Sequence, residues 1–423
     1  MKQLLSQKFL YIGASVLVSA IGFGRNLFFL KALGLGDIGQ VALMQSIAIM
    51  VGFSQFGLIN GGYRIYAIGN TDQNVGINNT LFTFFAALIV LLLLLAAGGG
   101  LDIGGQAVHR ETLLIGLAAG IATLGSTWIN NMLIAQGKLS ESNLINLAAV
   151  SLSFLIGAMS KSFGLWAALV SMLIQPLGVV VVTLALRPEI RPTRFQFEWL
   201  LLKRILKLGV IPFIAGIFAL LNLQVERWAI TVVLGTEALG RFYIVLLYAT
   251  AFALIPVSLN SVYFPRTIKA FEEGRIGDFV ALFKRYLIDL ISYLICIIVV
   301  TITLLPSLLN HYFDKYAGSE SLIYLAIPGL VALILCNPAS LVFNSAKNLR
   351  PLLIYGALSL GLNSAALYFL YIFNMFSLEM VAVAKSFSDI LSFVYFVSML
   401  MIFKKSKQRF WELMKQRNET IKN

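Results

Sequence analysis

Arg25, Arg227 and Lys385 each lie inside a long apolar stretch of the chain, where an ionised side chain is out of place. A charge at the centre of a bilayer costs about 2.5–3.5 kcal/mol on insertion scales and persists where it meets a partner or a wet cavity. About five residues, or about 8 Å of helix, separate Arg25 from the end of its stretch. Arg227 stands at an equivalent depth in the second half. A guanidinium is a planar forked donor matched to phosphate oxygens, so two of them on facing helices would line a central cationic cavity, joined by Lys385. Two readings stand for each arginine: cargo contact, or snorkelling to the outer interface for Arg25 and pairing with acids of neighbouring stretches for Arg227. Glu226 projects about 100° away from Arg227 and is a poor direct partner, whereas Lys385 and Asp389, four apart, can meet on one helix face. Glu226 and Asp389 are candidates for a gating or charge-pair role. Arg64 and Arg266 close two equivalent helices and suit either plain topology or first contact with an anionic headgroup.

These residues need helices to hold them, and the composition says which kind. Of 423 residues, 59% are hydrophobic and 12% charged, with a net charge of +13. A soluble domain carries about twice that share of charge, so soluble enzymes, secreted scaffolds and nucleic-acid binders are excluded. The reading is an all-α polytopic membrane protein. Twelve apolar stretches of about 20 residues, the length of a bilayer span, run approximately over 9–30, 41–63, 80–100, 112–135, 143–160, 163–186, 208–234, 241–264, 286–306, 321–343, 352–373 and 378–402. With the N-terminus inside, 24 of the 32 Lys and Arg fall on the cytoplasmic side and five on the other, which predicts both termini cytoplasmic. The +13 is therefore a topology signal and not a polyanion footprint. An uncleaved first helix is expected, since Arg25 interrupts the first apolar run and no small-x-small cleavage site follows.

Catalytic chemistry is not in evidence. His109 and His311 fall in outer loops, Cys296 and Cys336 lie in spans, and no nucleophile–base pair, metal-ligand spacing or Walker-type phosphate loop occurs. No enzyme activity, cofactor or metal is expected, and coupling to protons or sodium is left open by the residues. The first six spans hold no central Asp or Glu, so a cavity whose embedded charge is Arg25 fits an anionic cargo. Polar residues at mid-span, among them Gln45, Gln55, Asn130, Asn222 and Gln224, read first as helix–helix hydrogen bonds. The basic tail from Lys404, with Phe410, Trp411 and Met414 at helical spacing, reads as an inner-surface amphipathic helix attracted to membrane lipids.

The two halves echo each other. Arg25 is followed by Gly34, Gly39 and Arg64, and Arg227 by Gly235, Gly240 and Arg266, with nearly matching spacings. Ala135-Gln-Gly-Lys138 is echoed by Asn344-Ser-Ala-Lys347. Corresponding segments share orientation, so the expected architecture is two six-helix lobes related by a parallel repeat: 1–190, a basic cytoplasmic linker 191–207, 208–403, and a tail 404–423.

The segment Phe29-Leu30-Lys31-Ala32-Leu33-Gly34 through Gly39 resembles the turn after the first helix of Wzx-type polysaccharide flippases, in the multidrug/oligosaccharidyl-lipid/polysaccharide exporter superfamily. Phe56-Gly57-Leu58 through Arg64, Val225-Glu226-Arg227 through Gly240, and Pro265-Arg266 are similar to further motifs of that family. Glu226 stands where the family has Asp, and Phe376-Ser377 answers Phe163-Gly164. The resemblance implies alternating-access flipping of an undecaprenyl-diphosphate-linked oligosaccharide across the bacterial inner membrane for O-antigen, capsule or a related surface polysaccharide. It also implies polysaccharide polymerase and chain-length proteins as partners, with no nucleic acid. An ion-coupled multidrug exporter of related fold is the alternative, and a glycan polymerase or ligase would need a larger outer loop than the chain has.

Overall fold

A computed structural model describes residues 2–67, 71–97, 102–103, 106–346, 348 and 350–422. Apolar segments in a membrane must satisfy every backbone N–H and C=O within themselves, which makes them helices. Among the described residues there are thirteen α-helices: α1 Lys2–Ala32, α2 Leu35–Gly52, α3 Leu58–Tyr66, α4 Thr71–Ala97, α5 Arg110–Ala135, α6 Leu139–Ala158, α7 Ser160–Leu186, α8 Trp199–Leu234, α9 Thr236–Glu272, α10 Ile276–Tyr312, α11 Glu320–Ser345, α12 Arg350–Ile372 and α13 Leu378–Lys422. A two-residue antiparallel pair, Asp102–Ile103 with Gln106–Ala107, turns the chain between α4 and α5.

Among the described residues eleven helices are long and apolar enough to cross a membrane. The twelfth expected span, 9–30, lies on α1, whose opening side chains are outside the description, as are the side chains of the tail stripe of Phe410, Trp411 and Met414; Lys347 of the second repeat echo lies outside the described residues. Two expectations need correcting. The span expected over 41–63 is not continuous: a 3-10 turn over Phe53–Gln55 leads into Phe56 (φ 49°) and Gly57 (φ 87°), both left-handed, and the chain restarts as α3. Gly57 takes this conformation at no steric cost, and the Gln55 side chain accepts from Ile59 N at 2.9 Å to start the new helix. The segment expected as a linker is half helix, since α8 begins at Trp199.

Helices α1–α7 form one lobe and α8–α13 the other, with α2 against α9 and α3 against α8 as the main joints between them. The repeat is visible in how they meet. A Cβ added to Gly39 of α2 would land on the carbonyl oxygen of Thr236, the first residue of α9; one added to Gly240 of α9 would land on the carbonyl oxygen of Leu35, the first residue of α2. Each half thus makes the same backbone contact on the other, about an axis passing between α2 and α9. A further joint lies at the opposite end of α2–α3, where Gly57 and Gly61 pack on the backbone of Gly209 and Ile205. Small residues suit such joints, because helices in lipid associate by close packing and hydrogen bonds.

The two ends of the bundle differ. Near Gly39 one apolar core runs through both lobes, from Phe29, Leu33 and Val41 to Leu239, Phe242 and Tyr316. At the far end the core divides: one part packs Leu202 and Ile205 of α8 into the first lobe, and two smaller parts lie within the second lobe. That far end is basic: Lys138 and Arg187 pair with Glu141 and Glu189 there, and Tyr66 accepts from Gln136 at 2.8 Å. The stretch after α7 is stapled to α4 at this end. Asn78 donates to the Ile190 carbonyl and accepts from Trp128 Nε1 at 2.9 Å, while Asn79 accepts from Thr193 N at 2.8 Å. Replacing Asn78 with alanine strands a buried indole N–H and a carbonyl, a loss of about 1–3 kcal/mol. The melting temperature of detergent-solubilised Asn78→Ala should therefore fall, with Asn78→Asp, which keeps the acceptor, intermediate. Unchanged melting of Asn78→Ala would show the staple to be dispensable.

Candidate functional site

Helices α1 and α8 carry the two embedded arginines at matched positions: Arg25 seven residues before Ala32, Arg227 seven before Leu234. Their surroundings are not matched. Arg25 is 5% exposed. It donates through Nη1 to Ser153 Oγ at 2.5 Å and to Gln175 Oε1 at 3.1 Å, and lies 5.9 Å from the centre of the Phe29 ring. Gly157 on α6 makes room for it, since a Cβ there would meet Arg25 Cγ at 2.9 Å. Its Nε is buried without a partner. No carboxylate contributes to its electrostatics; among the described residues Tyr243 alone does. The guanidinium lines a cavity of about 320 Å³ within the first lobe, with Gln45, Thr123, Asn146, Gln175 and Pro176 on its walls. This is a lone cation in an uncharged pocket whose walls mix apolar side chains with hydroxyl and amide groups.

Arg227 has carboxylates near it, although its Nε and Nη1, like Glu226 Oε2, are buried without a hydrogen-bond partner. Lys385 Nζ donates to Asp389 Oδ1 at 3.2 Å, as their spacing predicts. Glu226 has Lys385 as its strongest electrostatic partner, followed by Asp389 and Arg227. Two cations and two carboxylates therefore share one region between α8 and α13. Asn222 on α8 donates to Ser359 Oγ at 2.9 Å and accepts from Asn363 Nδ2 at 2.9 Å, both on α12, and Asn222 and Ser359 also reach Asp389. Glu226, Arg227, Lys385 and Asp389 line a cavity of about 740 Å³ whose other walls are mainly apolar: Val16 of α1, Leu254, Ile255 and Val257 of α9, Leu330 and Leu333 of α11.

The expected single cavity holding Arg25, Arg227 and Lys385 is thus two cavities, one within the first lobe and one lined mainly by the second lobe and closed on one side by α1. Tyr243 of α9 stands between them. It is buried, its hydroxyl accepts from Gln45 Nε2 at 2.8 Å, and it interacts electrostatically with both arginines. A second polar tie across the lobes joins Ser46 Oγ to Gln224 Oε1 at 2.7 Å. The mid-span amides Gln45, Asn222 and Gln224 therefore make helix–helix hydrogen bonds, and Asn130 does so by accepting from Ser142 and Asn146. Arg64 on α3 and Arg266 on α9 are exposed at the basic end and line neither cavity. Sequence reasoning missed Tyr243, Ser153 and Asn363. Asn363 was findable as a buried amide in an apolar span; nothing local marks Tyr243 or Ser153.

At the opposite end the lobes are latched. Lys315, between α10 and α11, donates to the Leu33 carbonyl at the end of α1, and Tyr316 donates to the Gly240 carbonyl at 3.1 Å. Burial holds the Lys315 ammonium below its usual value, opposed in part by Asp314 and Asp37. No group of three or more potential metal ligands occurs among the described residues.

Two lobes, a buried polar seam and two inter-helix cavities define a multi-pass, all-helical membrane fold. The fold is that of the lipid II flippase MurJ, whose inward closed conformation superposes with a TM-score of 0.74 at 14% identity over 93% of this chain and 87% of that one. An inward-facing multidrug resistance MATE family transporter of the MOP superfamily matches at 0.68, with 14% identity over 92% and 96%. A MOP superfamily transporter from Pyrococcus furiosus, reported for the reverse polarity of its binding pocket, matches at 0.60, with 14% identity over 93% and 95%. No family model and no curated protein matches the sequence.

Proposed function

We propose that the chain is a flippase that moves an undecaprenyl-diphosphate-linked oligosaccharide from the inner to the outer leaflet of the bacterial inner membrane, with both termini cytoplasmic. The product serves O-antigen, capsule or a related surface polysaccharide, and polymerase and chain-length proteins act after it. The observation that carries this reading is Arg25: a buried guanidinium with no carboxylate beside it, on a pocket of neutral hydrogen-bonding groups, is arranged to take an anion. The larger cavity adds an apolar wall beside Arg227 and Lys385, as an amphipathic diphosphate requires. Residues 1–190 and 208–403 rock about the linker 191–207, with the tail 404–423 on the inner surface. Arg64 and Arg266 at the basic end meet the headgroup first, and Glu226 and Asp389 set the charge balance of the second cavity during the change.

Deletion of the gene should make the lipid-linked oligosaccharide accumulate on the cytoplasmic leaflet, seen by extraction and mass spectrometry. The wild-type chain should clear it, and Arg25→Ala and Arg227→Ala, though inserted, should not. Because Glu226 and Asp389 line the larger cavity, an ion-coupled exporter of cationic drugs is the second reading. Deletion with no lipid-linked intermediate but new sensitivity to cationic compounds would favour it.

A further inference from the structure

The hairpin joining α9 and α10 carries charge that membrane topology alone does not require. Arg266, Lys269, Arg275, Lys284 and Arg285 fall within twenty residues, whereas the first half has Arg64 and then no Lys or Arg until Arg110. In the structure Arg266, Lys269, Arg275 and Arg285 line one groove of about 440 Å³ with Asp278, Ala281 and Leu282.

These cations are not equivalent. Arg275 is spent: its Nε and Nη2 donate to Glu273 at 2.8 and 2.5 Å, and its Nη1 to Asp278 at 2.5 Å. Lys269 shares Glu273 loosely, at 3.8 Å. Arg266 on α9 and Arg285 on α10 have no ion pair among the described residues, and both act on the same Tyr263 hydroxyl, which donates to Asp289 behind them. Two guanidinium groups held on adjacent helices repel each other, and an anion between them turns that cost into attraction.

The groove also has an apolar exit. Ala281, Arg285, Ile288, Ser292, Ile295 and Val299 are exposed at spacings of three and four, one face of α10. Ile288 is 63% exposed and Ile295 60%, so this face meets lipid from the groove towards the membrane interior. We propose that the groove is a binding site for one anionic phospholipid of the leaflet at the basic end, its phosphate between Arg266, Lys269 and Arg285 and its acyl chain along Ile288 and Ile295. The site stands apart from both inter-helix cavities; it shares Arg266 with the headgroup-entry reading, whereas Lys269 and Arg285, the two residues tested below, belong to this groove alone.

Native mass spectrometry of the full chain in detergent, titrated with phosphatidylglycerol, phosphatidylcholine or inorganic phosphate, tests it. Phosphatidylglycerol should bind at one saturable site, and phosphatidylcholine should not. With about 1 kcal/mol contributed by each surface cation, Lys269→Gln/Arg285→Gln should retain the lipid about 30-fold less well. The control Lys203→Gln/Arg204→Gln, which removes the same charge from exposed positions on α8, should retain it fully. Equal loss in both variants, or no saturable phosphatidylglycerol binding, overturns the proposal. Competition by inorganic phosphate at the lipid's own concentration overturns it too, by showing a free-anion site. Both variants must elute monodisperse; if the first does not, Arg285→Lys, which keeps the charge, should fold and still bind.

Discussion

Gly39→Ala and Gly240→Ala are each expected to abolish transport in a chain that still inserts. The first atom either substitution adds falls on a backbone carbonyl of the facing helix, so no side-chain rearrangement relieves the clash; α2 or α9 must move. Overpacking at such a site costs about 1–3 kcal/mol, which shifts a two-state equilibrium by about 30-fold at the middle of that range. The lobes should then part at the end latched by Lys315 and Tyr316. Ser46, which is fully buried and tied across the lobes to Gln224, supplies the readout. A cysteine at that position, in a background lacking Cys296 and Cys336, should be shielded from a membrane-impermeant thiol reagent in the parent and labelled in the glycine variants. Wild-type transport with wild-type shielding in both variants would sink the idea that this joint closes the pathway.

Arg25→Leu should abolish transport while raising the melting temperature. A buried cation with no counter-charge costs more than its hydrogen bonds to Ser153 and Gln175 return, and apolar replacement of buried ionic groups is often stabilising by about 1–4 kcal/mol. Arg227→Leu should behave differently: it leaves Glu226, Asp389 and Lys385 with a net negative charge on a mainly apolar cavity, so transport and stability should fall together. Arg25→Lys keeps the charge without the fork and should recover part of the transport. Lipid-linked substrate assays and thermal unfolding of the same preparations separate the cases. An Arg25→Leu protein that melts lower than the parent would make Arg25 a structural residue and remove the observation on which the flippase reading stands.

Much of this architecture is written in local chemistry. Spans are legible because lipid demands about 20 apolar residues in a row, and the repeat because Arg25–Gly39 and Arg227–Gly240 keep their spacing. The pairing of Lys385 with Asp389 follows from helical geometry alone. What was hidden depends on distant partners. Gln55-Phe56-Gly57 lies in an apolar run with no proline, so nothing local announces the break between α2 and α3. The turn lies where the chain packs on the backbone of Gly209 of α8, a partner 152 residues away. The separation of Arg25 from Arg227 into two cavities was equally invisible. It rests on Ser153, Gln175 and Gly157 drawing one guanidinium into its own lobe, while Glu226 and Asp389 balance the other.

The contact between Gly39 and Gly240 has the form of a homodimer interface folded into one polypeptide: surface i meets j, and j meets i. A half-length chain pairing with a duplicate of itself would need one glycine, inherited twice. In a single chain they are independent positions, so a substitution at either one is enough to break the contact, while the surroundings of the two arginines differ between the lobes. The neutral pocket around Arg25 and the balanced cluster around Arg227 are what such divergence looks like on either side of a seam that must remain self-complementary.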